Sequence, residues 1–113
     1  MYVTWPCPLP DGSTGEEMAL RFDKDRPRRL LIIPPLFDEA NKFRHQLTGI
    51  MLQFDANGVD CFLPDLPGCN ESTAPLADQS IAGWRAATVA AAAHFAVTHV
   101  FAVRSGGWLL PDT

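Results

Sequence analysis

Basic charge is scarce in this chain. Nine Lys and Arg stand against thirteen Asp and Glu, a formal net charge of -4, and without a basic surplus a protein has little means of binding nucleic acid through counterion release. Long apolar runs are missing too, since none approaches the roughly 18 residues that a membrane span requires. Residues 1–11 hold no Lys or Arg and are interrupted by Pro6, Pro8 and Pro10, so they lack the charged and apolar regions of a secretion signal. A cytoplasmic location with neither nucleic-acid nor membrane partners is the expectation. Cysteine is sparse as well: Cys7, Cys61 and Cys69 form an odd set without Cys-x-x-Cys spacing, which suits neither a disulfide framework nor a zinc site. Three reduced thiols are expected. His45, His94 and His99 lack metal-ligand spacing with a cysteine or carboxylate, so no metal site is expected either.

What is present is the composition of one soluble globular domain, or part of one: 113 residues, 47% hydrophobic and 19% charged. Glu17 to Asp23 alternates around Met18, Leu20 and Phe22 and reads as a half-buried entry strand. Leu30 to Ile33 is a continuous aliphatic run stopped by Pro34 and Pro35, as in a strand buried on both faces. Ahead of it, Arg26, Arg28 and Arg29 surround Pro27 and read as a solvated loop. From Asn41 to Asn57, Phe43, Leu47, Ile50, Met51 and Phe54 fall at helical spacing, with Gly58 placed to cap the C-terminus. Val59 to Leu63 gives another short strand.

Asp65 to Gln79 has the composition of a long loop, and Asp78 or Ser80 can cap the helix that follows, Ile81 to Ala96. One face of that helix is marked by Ile81, Trp84, Thr88, Ala91 and Phe95, and its alanines allow close approach to a sheet. Val100 to Val103 is a third buried strand, followed by Arg104, Ser105, Gly106 and Gly107. Short buried strands alternating with helices imply a parallel sheet with helices on both faces. Three parallel strands with an open edge would leave backbone groups unpaired, so the expected fold class is α/β, a partial doubly wound parallel sheet over residues 1–113 that is not closed off.

Three segments resemble the α/β-hydrolase superfamily at the intervals that family uses. Leu30 to Leu36 is a strand running into a loop where Pro34 and Pro35 replace the usual His-Gly. Asp65-Leu66-Pro67-Gly68-Cys69-Asn70-Glu71-Ser72 is similar to the Asp-Leu-Pro-Gly-x-Gly-x-Ser loop after the next family strand, with Asn70 in place of a glycine. Phe101 to Gly107 resembles the nucleophile elbow, G-x-S-x-G. More narrowly, Pro34-Pro35-Leu36-Phe37-Asp38-Glu39-Ala40-Asn41-Lys42-Phe43-Arg44 is similar to a stretch of the exosortase A system-associated hydrolases.

The resemblance implies the N-terminal half of an α/β-hydrolase fold, ending just after the elbow. Two registers compete for the nucleophile position. With Ser105 as the nucleophile, the small flanking residues the elbow demands would be Val103 and Gly107; with Arg104 in the slot they are Ala102 and Gly106. Arginine stays protonated and cannot attack a carbonyl. The resemblance places oxyanion N–H donors at Leu36 and Phe37, since proline has none, and at Ser105 or Gly106 after the nucleophile. Glu39, Asn41 and Arg104 are candidate substrate contacts at the C-terminal strand edge, where open α/β sheets bind ligands; Lys42 and Arg44 crowd the same edge and read either as part of that ligand site or as solvated beside a helix start that Asp38 and Glu39 favour electrostatically.

Triad acid and histidine should follow the nucleophile in this superfamily. Here Asp112 lies too close behind Ser105 and all three histidines precede it. The intact enzyme would cleave an ester, thioester or amide of a small acyl substrate without a cofactor, and this chain would be inactive alone. Two alternatives stand beside that reading: a non-catalytic relative that binds a small anion near Arg104, using that turn and the Glu39 to Arg44 loop, and a module whose open sheet edge is completed by a second copy or another chain.

Overall fold

The structure, a computed structural model, describes residues 1–9, 11–35, 43–69, 72, 74 and 79–109, apart from the side chains of Arg104, Ser105 and Trp108. Its elements are β1 (Tyr2–Pro8), β2 (Thr14–Phe22), β3 (Arg29–Ile33), α1 (Arg44–Ala56), β4 (Asp60–Pro64), α2 (Ile81–His94), β5 (His99–Ala102) and a 3-10 turn (Arg104–Leu109). The strands form one open sheet in the order β1-β2-β4-β3-β5. β3 runs parallel to β4 and β5, as the strand-helix alternation requires, while β2 pairs antiparallel with both β1 and β4. The sheet is therefore mixed and two strands wider than three parallel strands.

β1 is the strand that its prolines conceal. Leu9 donates to the Ser13 carbonyl at 2.9 Å and Arg21 to the Met1 carbonyl at 2.9 Å, which fixes the odd-numbered residues of β1 as those that bond β2. The nitrogens of Pro6 and Pro8 then lie on the outer edge, where a missing N–H breaks no ladder bond. On the inner face Trp5 and Cys7 are buried, one residue apart, as period-two alternation demands.

Each face of the sheet packs on one helix. Leu31 and Ile33 join Trp5, Ala19 and Phe62 beneath α2, whose Trp84, Ala87 and Ala91 are buried there together with Phe95. Leu30 and Ile32 join Leu20, Cys61 and Leu63 beneath Leu47 and Met51 of α1. The continuous aliphatic run of β3 is explained by this double coverage. Ile50 and Phe54, also at the helical spacing of α1, are instead 37% and 36% exposed, and Phe54 lines a cleft with Val100 and Phe101 of β5.

Both helices end in the same hydrogen-bonded motif with different residues at its left-handed position. After α1, Gly58 at φ 84 carries bonds from Gly58 N to the Asp55 carbonyl and from Val59 N to the Phe54 carbonyl. After α2 the corresponding residue is Ala96 at φ 52, with Ala96 N bonded to the Ala93 carbonyl and Val97 N to the Ala92 carbonyl. A Cβ is strained in this region. Ala96→Gly is expected to stabilise the fold by about 0.5–1 kcal/mol after the flexibility it adds to the unfolded chain; thermal unfolding checks this, and an unchanged or lower midpoint would contradict it.

The N-terminal ends of the parallel strands are locked by ion pairs. Asp60, fully buried, accepts from Lys24 N at 3.1 Å, Arg26 N at 2.8 Å, Arg26 Nε at 2.5 Å and Arg29 Nη1 at 2.9 Å. Arg26 also pairs with Asp55, and Arg29 with Asp23. Hydrogen bonding from Arg29 holds the Asp23 carboxyl down at about 2. Arg26 and Arg29 are thus not the solvated loop expected from sequence: their side chains are only 18% and 14% exposed, drawn in by a carboxylate more than 30 residues away.

Candidate functional site

Because β4, β3 and β5 are parallel neighbours, the segments that leave their C-terminal ends meet at one edge of the sheet. Those segments are Pro34-Pro35 after β3, the loop opened by Asp65 after β4, and Val103 to Leu109 after β5. Open α/β sheets place ligands at such an edge.

The turn after β5 is packed against the end of β3. Val103 N donates to the Ile33 carbonyl at 3.0 Å, and Gly106 N donates to the Val103 carbonyl at 2.9 Å. A Cβ on Gly106 would stand 2.5 Å from the Pro34 carbonyl oxygen and 2.8 Å from that of Ile33, whereas one on Gly107 would meet nothing within 4 Å. Of two adjacent glycines, only Gly106 is sterically required. The N–H of Gly106 is also engaged inside the turn.

The loop after β4 is tied down from three sides. Gly68 sits at φ 82, a conformation suited to glycine. Trp84 Nε1 donates to the Pro67 carbonyl at 2.8 Å. Ser72 Oγ accepts from Gly68 N at 2.9 Å and donates to Glu17 Oε2 at 2.9 Å. Burial raises the Glu17 carboxyl above the ordinary glutamate value; the Ser72 bond opposes that rise and the nearby Asp65 charge adds to it. Ser72 belongs to the loop stretch that the sequence marks out, although its two bonds do not follow from it, whereas nothing local in the sequence singles out Glu17.

Asp65, 1% exposed, accepts from Arg44 Nη1 at 3.1 Å. Arg44 opens α1 and is 16% exposed, with its guanidinium carbon 5.6 Å from the centre of the Tyr2 ring. Of the two readings of Arg44, the solvated one is overturned, because Asp65 draws its guanidinium in at the C-terminal edge of the sheet.

Leu36, Phe37, Glu39 and Asn41 lie outside the described residues, as do the side chains of Ser105 and Arg104, although the backbone of these two forms the start of the 3-10 turn. Among the described residues no group of three or more His, Cys, Asp and Glu side chains is arranged to hold a metal ion. The three cysteines are buried and none is in a disulfide. Burial pushes the Cys7 thiol up to about 12, with help from Glu17, and the Cys61 thiol up to about 11, so neither forms a thiolate nucleophile near neutral pH. His99 opens β5 at the opposite edge of the sheet and shares a 2.8 Å contact with Thr98 Oγ1.

On the outer side, β5 pairs only with β3 among the described residues. Its Val100 and Phe101 are 36% and 48% exposed. Together with Leu30, Phe54, Val59 and His99 they line a cleft of about 340 Å³. Among the described residues no helix is long and apolar enough to cross a membrane.

The architecture is that of part of an α/β-hydrolase fold: an open five-stranded sheet with a helix on each face and a tight turn after the last strand. Three solved structures share it. A protein of Agrobacterium vitis S4 assigned as a hydrolase aligns with a TM-score of 0.62 at 18% identity, over 96% of this chain and 43% of its own. An epoxide hydrolase of Vigna radiata aligns at 0.60 with 17% identity, over 89% and 30%. Est1E of Butyrivibrio proteoclasticus, solved with ferulic acid bound, aligns at 0.57 with 16% identity, over 77% and 38%. The chain thus spans less than half the length of each. At such identities the likeness is one of fold. No family model matches the chain, and neither does any curated protein.

Proposed function

We propose that this chain is the N-terminal part of a hydrolase-type domain, acting on an ester, thioester or amide of a small acyl substrate only when the rest of the sheet is supplied. The single observation that carries the proposal is the outer side of β5, the strand leading to the elbow, which among the described residues has no strand partner and bears the exposed Val100 and Phe101. In a hydrolase fold, the acid and the histidine of a triad would come from segments beyond that strand. With Ser105 as nucleophile, the N–H groups of Leu36 and Phe37 would serve the oxyanion; the N–H of Gly106, the residue after it, already donates to the Val103 carbonyl. The narrower likeness to exosortase A system-associated hydrolases rests on residues 34–44, and a cytoplasmic location on the N-terminal sequence.

The fit of Gly106 favours a second reading. In the nucleophile elbow the residue two after the nucleophile must be small because it packs on the neighbouring strand, and the glycine so packed here is Gly106. That register puts Arg104 in the slot, which supports a domain that binds an anion rather than one that forms an acyl-enzyme.

An esterase assay with 4-nitrophenyl acetate tests the first reading. The 113-residue protein should show no turnover above buffer. The protein isolated from its source cell should have a mass above that of 113 residues and should hydrolyse the ester, with that activity lost in Ser105→Ala. Turnover by the 113 residues alone would overturn the need for a completing segment. A source-cell protein of the full, longer mass without esterase activity would favour the Arg104 register.

A further inference from the structure

Two clefts join along the open side of β5. The first, of about 340 Å³, lies beside Phe101, and the second, of about 410 Å³, runs on past Ile50 and Gln53 of α1; Arg28, Phe54 and Val59 border both. His99 and Phe101 stand opposite Leu30 and Ile32 in the register of β5 on β3. Leu30 and Ile32 face α1, so period-two alternation sets His99 and Phe101 on that face as well. The resulting groove is apolar between Phe101 and Phe54, and one of its walls is the outer edge of β5. Thr98 N donates to the Arg29 carbonyl at 2.8 Å, so alternation turns the N–H groups of His99 and Phe101 outward, where no strand among the described residues takes them.

Charge at this groove is of one sign. Arg28 is exposed and, among the described residues, its side chain takes part in no ion pair or hydrogen bond, whereas its neighbours Arg26 and Arg29 are both held by Asp60. No carboxylate borders either cleft. A second copy docked β5 to β5 would meet this patch with itself and bring no acid to Arg28. A long-chain anion would satisfy Arg28 and the apolar surface but leave the N–H groups of β5 unused. A strand bearing an acidic residue meets all three features, by the mode in which an extended segment adds to a sheet edge.

We propose that this groove docks an extended polypeptide segment that adds to β5 through main-chain hydrogen bonds, with a large apolar residue set between Phe101 and Phe54 and, two places along on the same face, an Asp or Glu set against Arg28. The inference rests on the reading of this chain as a domain that needs more sheet, and it specifies the segment that supplies it. Arg28 excludes a segment with Lys or Arg at that place, and the edge of β5 excludes one whose main chain cannot pair.

The test is nuclear magnetic resonance of the nitrogen-labelled 113-residue protein, following the amide signals of His99 and Phe101 during titration with synthetic peptides of alternating valine and threonine that carry one glutamate in the valine series. Two versions are N-methylated along opposite edges so that neither aggregates. One should bind saturably and shift both signals, and the other should not bind. Lysine in place of glutamate should weaken the binding version about tenfold. Arg28→Glu, an exposed change whose folding circular dichroism confirms, should reverse that preference. No saturable shift with either version would overturn the proposal. So would equal binding of both, which means an occupant held without strand pairing, or an unchanged preference for glutamate in Arg28→Glu. A dimer seen by sedimentation that neither peptide displaces would assign β5 to a second copy, with the same result. Absence of peptide binding beside a longer, active source-cell protein sinks this inference alone; peptide binding beside an inactive source-cell protein of 113 residues sinks the hydrolase reading alone.

Discussion

Asp60→Ala will remove about 3–5 kcal/mol of stability, the usual consequence of deleting one partner of a buried ion pair. The reason is the number of groups left behind. Two guanidinium groups and two backbone N–H groups converge on this one fully buried carboxylate, and alanine offers none of them an acceptor. Domains of ordinary stability hold only about 5–15 kcal/mol in total, so the variant should lose a large fraction of its stability. Urea unfolding followed by circular dichroism measures this directly. A midpoint within error of the wild type would show that the arginines find other acceptors and that Asp60 is not the centre of the network.

The second large effect is expected at Gly106. Alanine there drives a methyl group against two backbone carbonyl oxygens at 2.5 and 2.8 Å, and backbone cannot rotate aside as a side chain can. The turn or the end of β3 must move, at a cost of about 1–3 kcal/mol, typical of overpacking. Gly107→Ala, with open space around the new methyl, should lie within roughly 0.5 kcal/mol of the wild type. Thermal unfolding of the two variants side by side makes the comparison. If Gly107 proved the sensitive position, the elbow would be in the register that makes Ser105 the nucleophile, and the case for Arg104 would fail.

Much of the fold was legible because local pattern and tertiary role agree. The run Leu30 to Ile33 is aliphatic at every position and is covered on both faces. Ser80 caps α2, accepting from Gly83 N at 3.0 Å, and Gly58 ends α1. β1 was hidden by Pro6 and Pro8, although the alternation of Val3, Trp5 and Cys7 was there to be read; prolines count against a strand unless its place at the sheet edge is known. Arg26 and Arg29 were read as solvated because Asp60, the carboxylate they share, lies more than 30 residues away, and the Asp65 partner that decides between the two readings of Arg44 is likewise remote. Ile50 and Phe54 were correctly assigned to the helix and to an apolar stripe, but that stripe extends beyond the sheet it packs on.

The candidate site was legible in its location and less so in its residues. The turn after β5 and the Asp-Leu-Pro-Gly loop identify the edge, but two adjacent glycines in sequence cannot reveal which one touches the neighbouring strand. Glu17 carried no local signal, since its partner Ser72 is reached only through the return of β4 to the side of β2.

The two rims of the sheet are chemically unlike. On the rim formed by β1, Pro6 and Pro8 remove two of the outward-facing donors that an incoming strand would need, whereas β5 retains its own. Growth by strand addition therefore has one productive end. Two copies joined β5 to β5 would leave only proline-bearing rims outside, so such an assembly would stop at a pair and would not extend into a fibre.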